Sequence, residues 1–214
     1  MLKIKLCGFN DKEMVDLAVD CGADFIGLVF HHQSPRAITP AKAAQITADL
    51  PQKVKKVAVL VDVSNQKLEE ILENFRPDFW QIHNQENKKR ISEIKNLYQI
   101  PIIKTISIAS VADLAQIEEY REVADLFLFD SKTSEKGGSG KVFDWHILEN
   151  LSAFNLKQNW FLSGGLNIDN VEQALKITGA NMIDLSSGIE EKRGIKSAKL
   201  IRTFMEQCRD WRKI

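Results

Sequence analysis

Two side chains stand out as able to move protons: Cys7, at the end of "LKIKLC", and Asp130, at the end of "DLFLFDS". A free cysteine is usually a small core residue. As a thiolate it is a base or nucleophile, yet an unassisted thiol of pKa ~8.5 is only about 3% ionised at pH 7, so it needs a neighbouring cation. Asp130 follows four apolar residues. It is either the polar rim of a strand or a carboxyl in a low-dielectric mouth, where its pKa rises enough for it to act as an acid. A thiolate base facing a carboxylic acid suits proton transfer with no redox cofactor.

Other groups would hold a substrate between them. "LSGGLN" (with Gly164 and Gly165) and "LSSGIE" (with Ser187 and Gly188) are either simple tight turns or a phosphate cradle, since small residues let backbone N–H groups approach oxygens. The segment "SKTSEKGGSGKVFDW" is not a Walker A loop, because Ser134 replaces the first glycine and Val142 follows Lys141. Gly137, Gly138 and Gly140 instead suit a lid closing over an anionic ligand, the alternative being a floppy surface loop. In "HHQSPRAITP", Pro35 stiffens the chain beside Arg36, whose guanidinium can grip a carboxylate bidentately. His31 and His32 have no acidic companion and do not read as a metal site. His83 shares a face with Gln81 and either lines a pocket or makes a packing or rim contact.

These groups need a scaffold. The 214 residues carry 44% hydrophobic and 27% charged side chains, with 29 basic against 29 acidic, so neither disorder nor a nucleic-acid partner is expected. Cys7, Cys21 and Cys208 form no disulfide or zinc pattern, which fits a reducing, cytoplasmic setting. "MLKIKL" is not a signal peptide, and no apolar run approaches the ~20 residues of a membrane span. Short runs rich in Val, Ile and Phe predict strands near 2–7, 24–30, 55–62, 78–83, 101–106, 125–130, 159–163 and 181–186. Amphipathic stretches separate them, and no linker divides the chain. In "NDKEMVDLAVDCGAD", Asn10 is the expected helix cap, with Glu13 completing a capping box and Gly22 ending the helix. The apolar stripes of the first and last helices place Cys21 and Cys208 in the core.

Eight βα units in 214 residues predict a compact (β/α)₈ barrel, α/β in class, over a single domain, 1–214. A doubly wound sheet would instead announce a GxGxxG turn, which "CGFND" lacks. In such barrels the chemistry sits at the C-terminal ends of the strands. In the first strand the apolar Leu2, Ile4 and Leu6 must face the helices, leaving Lys3, Lys5 and Cys7 toward the axis. The Lys5 ammonium, one layer below Cys7, is expected to favour the thiolate.

Together "KLCGFN", "FIGLVFHHQSPRAITP", "FWQIHNQE", "LFLFDS", "GGSGKVFDW", "FLSGGLN", "DLSSGIE" and "GIKS" resemble, in order and over nearly the whole chain, the phosphoribosylanthranilate isomerases of tryptophan biosynthesis. The resemblance implies an Amadori rearrangement of a small phosphorylated substrate, with no cofactor. It implies Cys7 as general base, Asp130 as general acid and Arg36 on the anthranilate carboxylate. The phosphate would lie against the two glycine turns under the Gly140 lid. Asn84 stands where the family has glycine, Asn10 where it has serine or threonine, and Ser139 where threonine is common. A sugar-phosphate isomerase of histidine biosynthesis would instead show paired aspartates at strands one and five, and a non-catalytic phosphate-binding barrel would have no need of the acid and base. A monomer and a homodimer are both compatible with the outward apolar Phe154, Trp160 and Trp211.

Overall fold

A strand buried on both faces can carry polar side chains only where they meet partners, and the alternation in the first strand obeys this rule. In the computed structural model, which describes residues 1–83, 86–132, 143–156 and 160–212, Ile4 and Leu6 are wholly buried against the helices. Lys5 is also wholly buried, on the opposite face, and Cys7 joins Val29 and Val59 in a small apolar group at the upper end of the barrel interior. Below lies the layer of Phe25, Val57, Ile103, Leu128, Phe161 and Met182. The barrel is therefore filled by side chains, with its polar groups at one end.

Eight parallel strands close that barrel: β1 (Lys3–Cys7), β2 (Phe25–Val29), β3 (Lys55–Val61), β4 (Phe79–His83), β5 (Ile102–Ile108), β6 (Leu126–Ser131), β7 (Trp160–Leu162) and β8 (Met182–Leu185). Helices α1 (Lys12–Asp20), α2 (Pro40–Ile46), α3 (Asn65–Asn74), α4 (Lys88–Tyr98), α5 (Gln116–Tyr120), α6 (Val171–Thr178) and α7 (Ala198–Gln207) cover it, and a 3₁₀ stretch, Trp145–Phe154, takes the helix position before β7. None of these helices is long and apolar enough to cross a membrane. Trp160 is buried, and Phe154 and Trp211 pack half-buried against the same core. Cys208 is fully buried there and Cys21 packs against it.

Two local expectations change. Asp11, not Asn10, caps α1: its carboxylate accepts from the Met14 N–H at 3.0 Å. Asp caps as well as Asn and carries a charge that complements the helix dipole, so the helix begins one residue later. Gly22 does end that helix, at φ +96°, with its N–H on the Val19 carbonyl at 2.8 Å. The second change is an additional antiparallel pair, β9 (Glu190–Lys192) and β10 (Ile195–Lys196), in the loop after β8. It turns at Gly194, φ +87°, where a Cβ would fall 2.7 Å from the Pro35 carbonyl oxygen. The hairpin thus leans on the loop that carries Arg36.

The other end of the barrel repeats one device. Asp24, Asp78 and Asp125 each precede an even-numbered strand, and each carboxylate accepts the backbone N–H of a residue on the preceding strand: Ile4 at 2.8 Å, Lys56 at 2.7 Å and Ile102 at 2.8 Å. The N–H of each aspartate returns a bond to the carbonyl of that same residue. These rings pin strands in pairs at the face where a barrel keeps its stability determinants. Asp78→Ala is expected to cost about 1.5 kcal/mol, the ordinary worth of a hydrogen bond to a charged group, read as a lower urea midpoint with an unchanged m-value.

Candidate active site

β1 delivers Lys5 and Cys7 to the upper end of the barrel, and Gly8 lets the chain leave, at φ +84° with its N–H on the Gly27 carbonyl at 2.8 Å. A Cβ at Gly8 would fall 2.5 Å from Arg36 Cδ, so the missing side chain also makes room for the arginine. Gly27, opposite Cys7 in the β1–β2 register, does the same for the thiol: a Cβ there would lie 2.5 Å from Cys7 Sγ. Cys7, Arg36, His83, Asp130, Asp184 and Ser187 line one cavity at this end.

At its floor lies a buried ion pair, with Asp184 on the lining and Lys5 behind it. Lys5 and Asp184 are register partners on β1 and β8, with Nζ 2.7 Å from Oδ1 and side-chain exposures of 0% and 8%. Ser163 Oγ donates to the other Asp184 oxygen at 3.3 Å. Burial alone would lower the Lys5 pKa, but Asp184 and then Cys7 outweigh it, and Lys5 stays charged. Lys5 favours the thiolate, as expected, without settling the resting state of the thiol. The ammonium does pull the thiol down, but burial is larger and leaves the Cys7 pKa above its ordinary value.

Asp130 ends the apolar run of β6 with Oδ1 on the Ser131 N–H at 2.8 Å. Burial first, and the Asp184 charge second, push its carboxyl up to about 6. The turn after β7 rests on it: at Gly164, φ +87°, a Cβ would fall 2.6 Å from the Ser131 nitrogen and 3.0 Å from Asp130 Oδ1. Gly164, Gly165 and Ser187 line the cavity. Gly188 is not among the lining residues; a Cβ there would fall 2.0 Å from the Leu166 carbonyl oxygen, so it lets the β7 and β8 turns meet. Gly140 and all of the expected 132–141 lid except Lys132 lie outside the described residues, as does Asn84.

Arg36 is 5% exposed and gripped by Glu190 through Nε at 2.6 Å and Nη2 at 2.8 Å. Lys196 Nζ shares Glu190 at 2.8 Å. Burial would raise the Glu190 carboxyl, but Arg36 and Lys196 hold it down at about 2. Two cations against one anion leave this wall net positive, suited to an anionic substrate group. Lys196 also donates to the Ser186 carbonyl at 3.0 Å, and Ser186 Oγ donates to the Cys7 carbonyl at 3.1 Å, tying the hairpin to the end of β1. His83 lines the cavity with Nε2 2.8 Å from Gln81 Nε2. Burial, then the Lys5 charge, lower its pKa to about 3, so the ring is neutral and its Nε2 accepts from the Gln81 amide.

Asp184, Glu190, Lys196 and Gly27 escaped the reading of the sequence. Asp184 had a signal, a charge at inward parity in "MIDL", the same kind that drew attention to Asp130. Gly27, inside an apolar strand, marks a close approach by the rule for strand glycines. Glu190 and Lys196 had none, because their partners are distant in the chain.

Residues 4–207 match the family model of N-(5'-phosphoribosyl)anthranilate isomerase. A relative of that name from Rhodopseudomonas palustris (strain BisB18) is 40% identical over 212 residues, 97% of this chain and 96% of its own. The crystal structure of phosphoribosyl anthranilate isomerase from Thermotoga maritima superposes with a TM-score of 0.87 at 33% identity, covering 98% of this chain and all of the other. A further solved isomerase, in complex with reduced 1-(o-carboxyphenylamino)-1-deoxyribulose 5-phosphate, gives a TM-score of 0.84 at 28% identity over 98% of this chain and all of its own. With the family model spanning nearly all of a chain whose strands close the same barrel, this protein belongs to the N-(5'-phosphoribosyl)anthranilate isomerase family.

Proposed function

We propose that residues 1–214 act as one catalytic barrel domain that isomerises N-(5-phosphoribosyl)anthranilate to 1-(2-carboxyphenylamino)-1-deoxyribulose 5-phosphate, with Cys7 as general base and Asp130 as general acid. The observation that carries the reading is that both line one cavity at the barrel mouth, with a net-positive wall at Arg36 and the two glycine turns also on its lining. The anthranilate carboxylate would meet Arg36, and the phosphate the turns at Gly164, Gly165 and Ser187, with Gly188 allowing the turns to touch. Fixing both ends of the substrate places the reacting carbons between acid and base.

In the first step protonated Asp130 donates to the ring oxygen as its bond to C1′ breaks, and the anthranilate nitrogen lone pair forms the Schiff base. The Cys7 thiolate then removes the C2′ proton, and the electron pair moves to give an enolamine that tautomerises to the ketone. Atoms are conserved and no oxidation occurs. Each positioned group is worth typically 10²–10⁴-fold. Purified protein given the fluorescent substrate should extinguish its emission as product forms; no loss of signal under these conditions would overturn the assignment.

Gly27→Ala tests the role of the thiol's position. A methyl there collides with Sγ and with Cys7 Cα at 3.0 Å, so the side chain must move. Turnover is expected to fall about 10²-fold, the scale of a 1 Å misplacement, with the affinity for a product analogue kept.

A further inference from the structure

One charged feature takes no direct part in this proton transfer, and it is the ion pair at the cavity floor, whose Asp184 lines the cavity. Lys5 sits on β1 one inward position below Cys7, and it is clamped to Asp184 at 2.7 Å across the β1–β8 seam. From Asp184 the chain of contacts runs through Ser163 to Gly164, whose backbone is packed on the Asp130 carboxylate. The ammonium end of the pair thus lies on the Cys7 side of the floor and the carboxylate end on the Asp130 side. Buried pairs of this kind are weak evidence for stability, since apolar residues of similar size often replace them without loss. Its presence at this spot calls for another reason.

We propose that Lys5 and Asp184 are a shared positioning pair, whose ammonium steadies the Cys7 thiolate and whose carboxylate keeps Asp130 protonated, so that the reactive forms of base and acid coexist. This rests on the assignment of Cys7 and Asp130 given above. Cys7 is faced by Lys5 from its own strand, Asp184 from β8, Lys196 from β10 and Arg36 from the loop after β2. After burial, Lys5 is the largest influence on it, ahead of Asp184. Asp130 is faced by Asp184 and by Lys5, with Asp184 the larger, and His83 across the cavity is neutral. The pair therefore lowers the base and raises the acid, narrowing the gap between them.

The experiment is the pH profile of kcat/KM. Because the thiol titrates above the carboxyl, only a minor species holds thiolate and carboxylic acid together, and its fraction is flat between the two pKa values. The rising limb then follows Asp130 and the falling limb Cys7. Asp184→Asn is expected to move the rising limb to lower pH, and Lys5→Met to move the falling limb to higher pH, each by about one unit, a tenfold change in the protonation equilibrium. The double variant K5M/D184N, which buries no unpaired charge, should move the limbs apart and lower the plateau about 10²-fold, with the fold kept by circular dichroism. Lys5→Arg should retain the wild-type falling limb. Limbs unmoved in K5M/D184N, with activity merely reduced, would overturn the inference while leaving the isomerase assignment intact. Full turnover in Cys7→Ser or Asp130→Asn would instead overturn the assignment beneath it.

Discussion

Cys7→Ser is expected to abolish measurable turnover, with kcat falling by at least about 10²–10⁴-fold and product affinity retained. Serine is the smaller residue, so it fits beside Gly27 without strain in a site where the thiol is only 7% exposed. The loss is therefore chemical. A hydroxyl does not ionise in the accessible pH range, and the Lys5 ammonium that offsets part of the burial cost for sulfur cannot bridge that gap. The check is a single-turnover assay with saturating enzyme, alongside titration with a product analogue. A variant that retains a tenth of wild-type activity would remove Cys7 from the role of base.

Asp130→Asn should be equally severe for the opposite reason. The amide keeps the shape, and its oxygen can still accept from the Ser131 N–H that now binds Oδ1 at 2.8 Å. It cannot deliver a proton to the ring oxygen. A drop of about 10²–10⁴-fold is expected. With a carboxyl pushed up to about 6, the wild-type rate should rise with pH through that value. Any residual activity in Asp130→Asn should no longer level off above that value but keep rising with the Cys7 thiolate. The double variant with Cys7→Ser should be little worse than either single change, because acid and base act on one sequence of steps and their losses do not add. Additive losses would mean that the two side chains act together in one rate-limiting step.

The ionisation of the resting site follows from where it is built. A barrel mouth floored by Phe25, Phe161 and their neighbours excludes water, which disfavours thiolate and carboxylate alike. That helps the acid and hinders the base. Lys5 was legible as the cation below Cys7, but the strand pattern alone gives its presence and not the size of the opposing burial. The net result, a thiol above its ordinary pKa, depends on everything packed around it.

From the sequence alone came the alternation of "LKIKLC", which placed Cys7 inward, the charge ending "LFLFD", and the two glycine turns, since each is a local pattern with a period or a backbone requirement. The resemblance added the substrate and the rearrangement, and gave Cys7 and Asp130 their roles in it. The cap at Asp11 was missed by one residue, because neighbouring residues of equal propensity compete for that position, and the hairpin at Gly194 was not read from the sequence at all. Only the tertiary structure decided that Lys5 pairs with Asp184, 179 residues away, and that Glu190 grips Arg36 across 154. Both joins depend on β8 closing against β1, a contact between the two ends of the chain that no local pattern encodes.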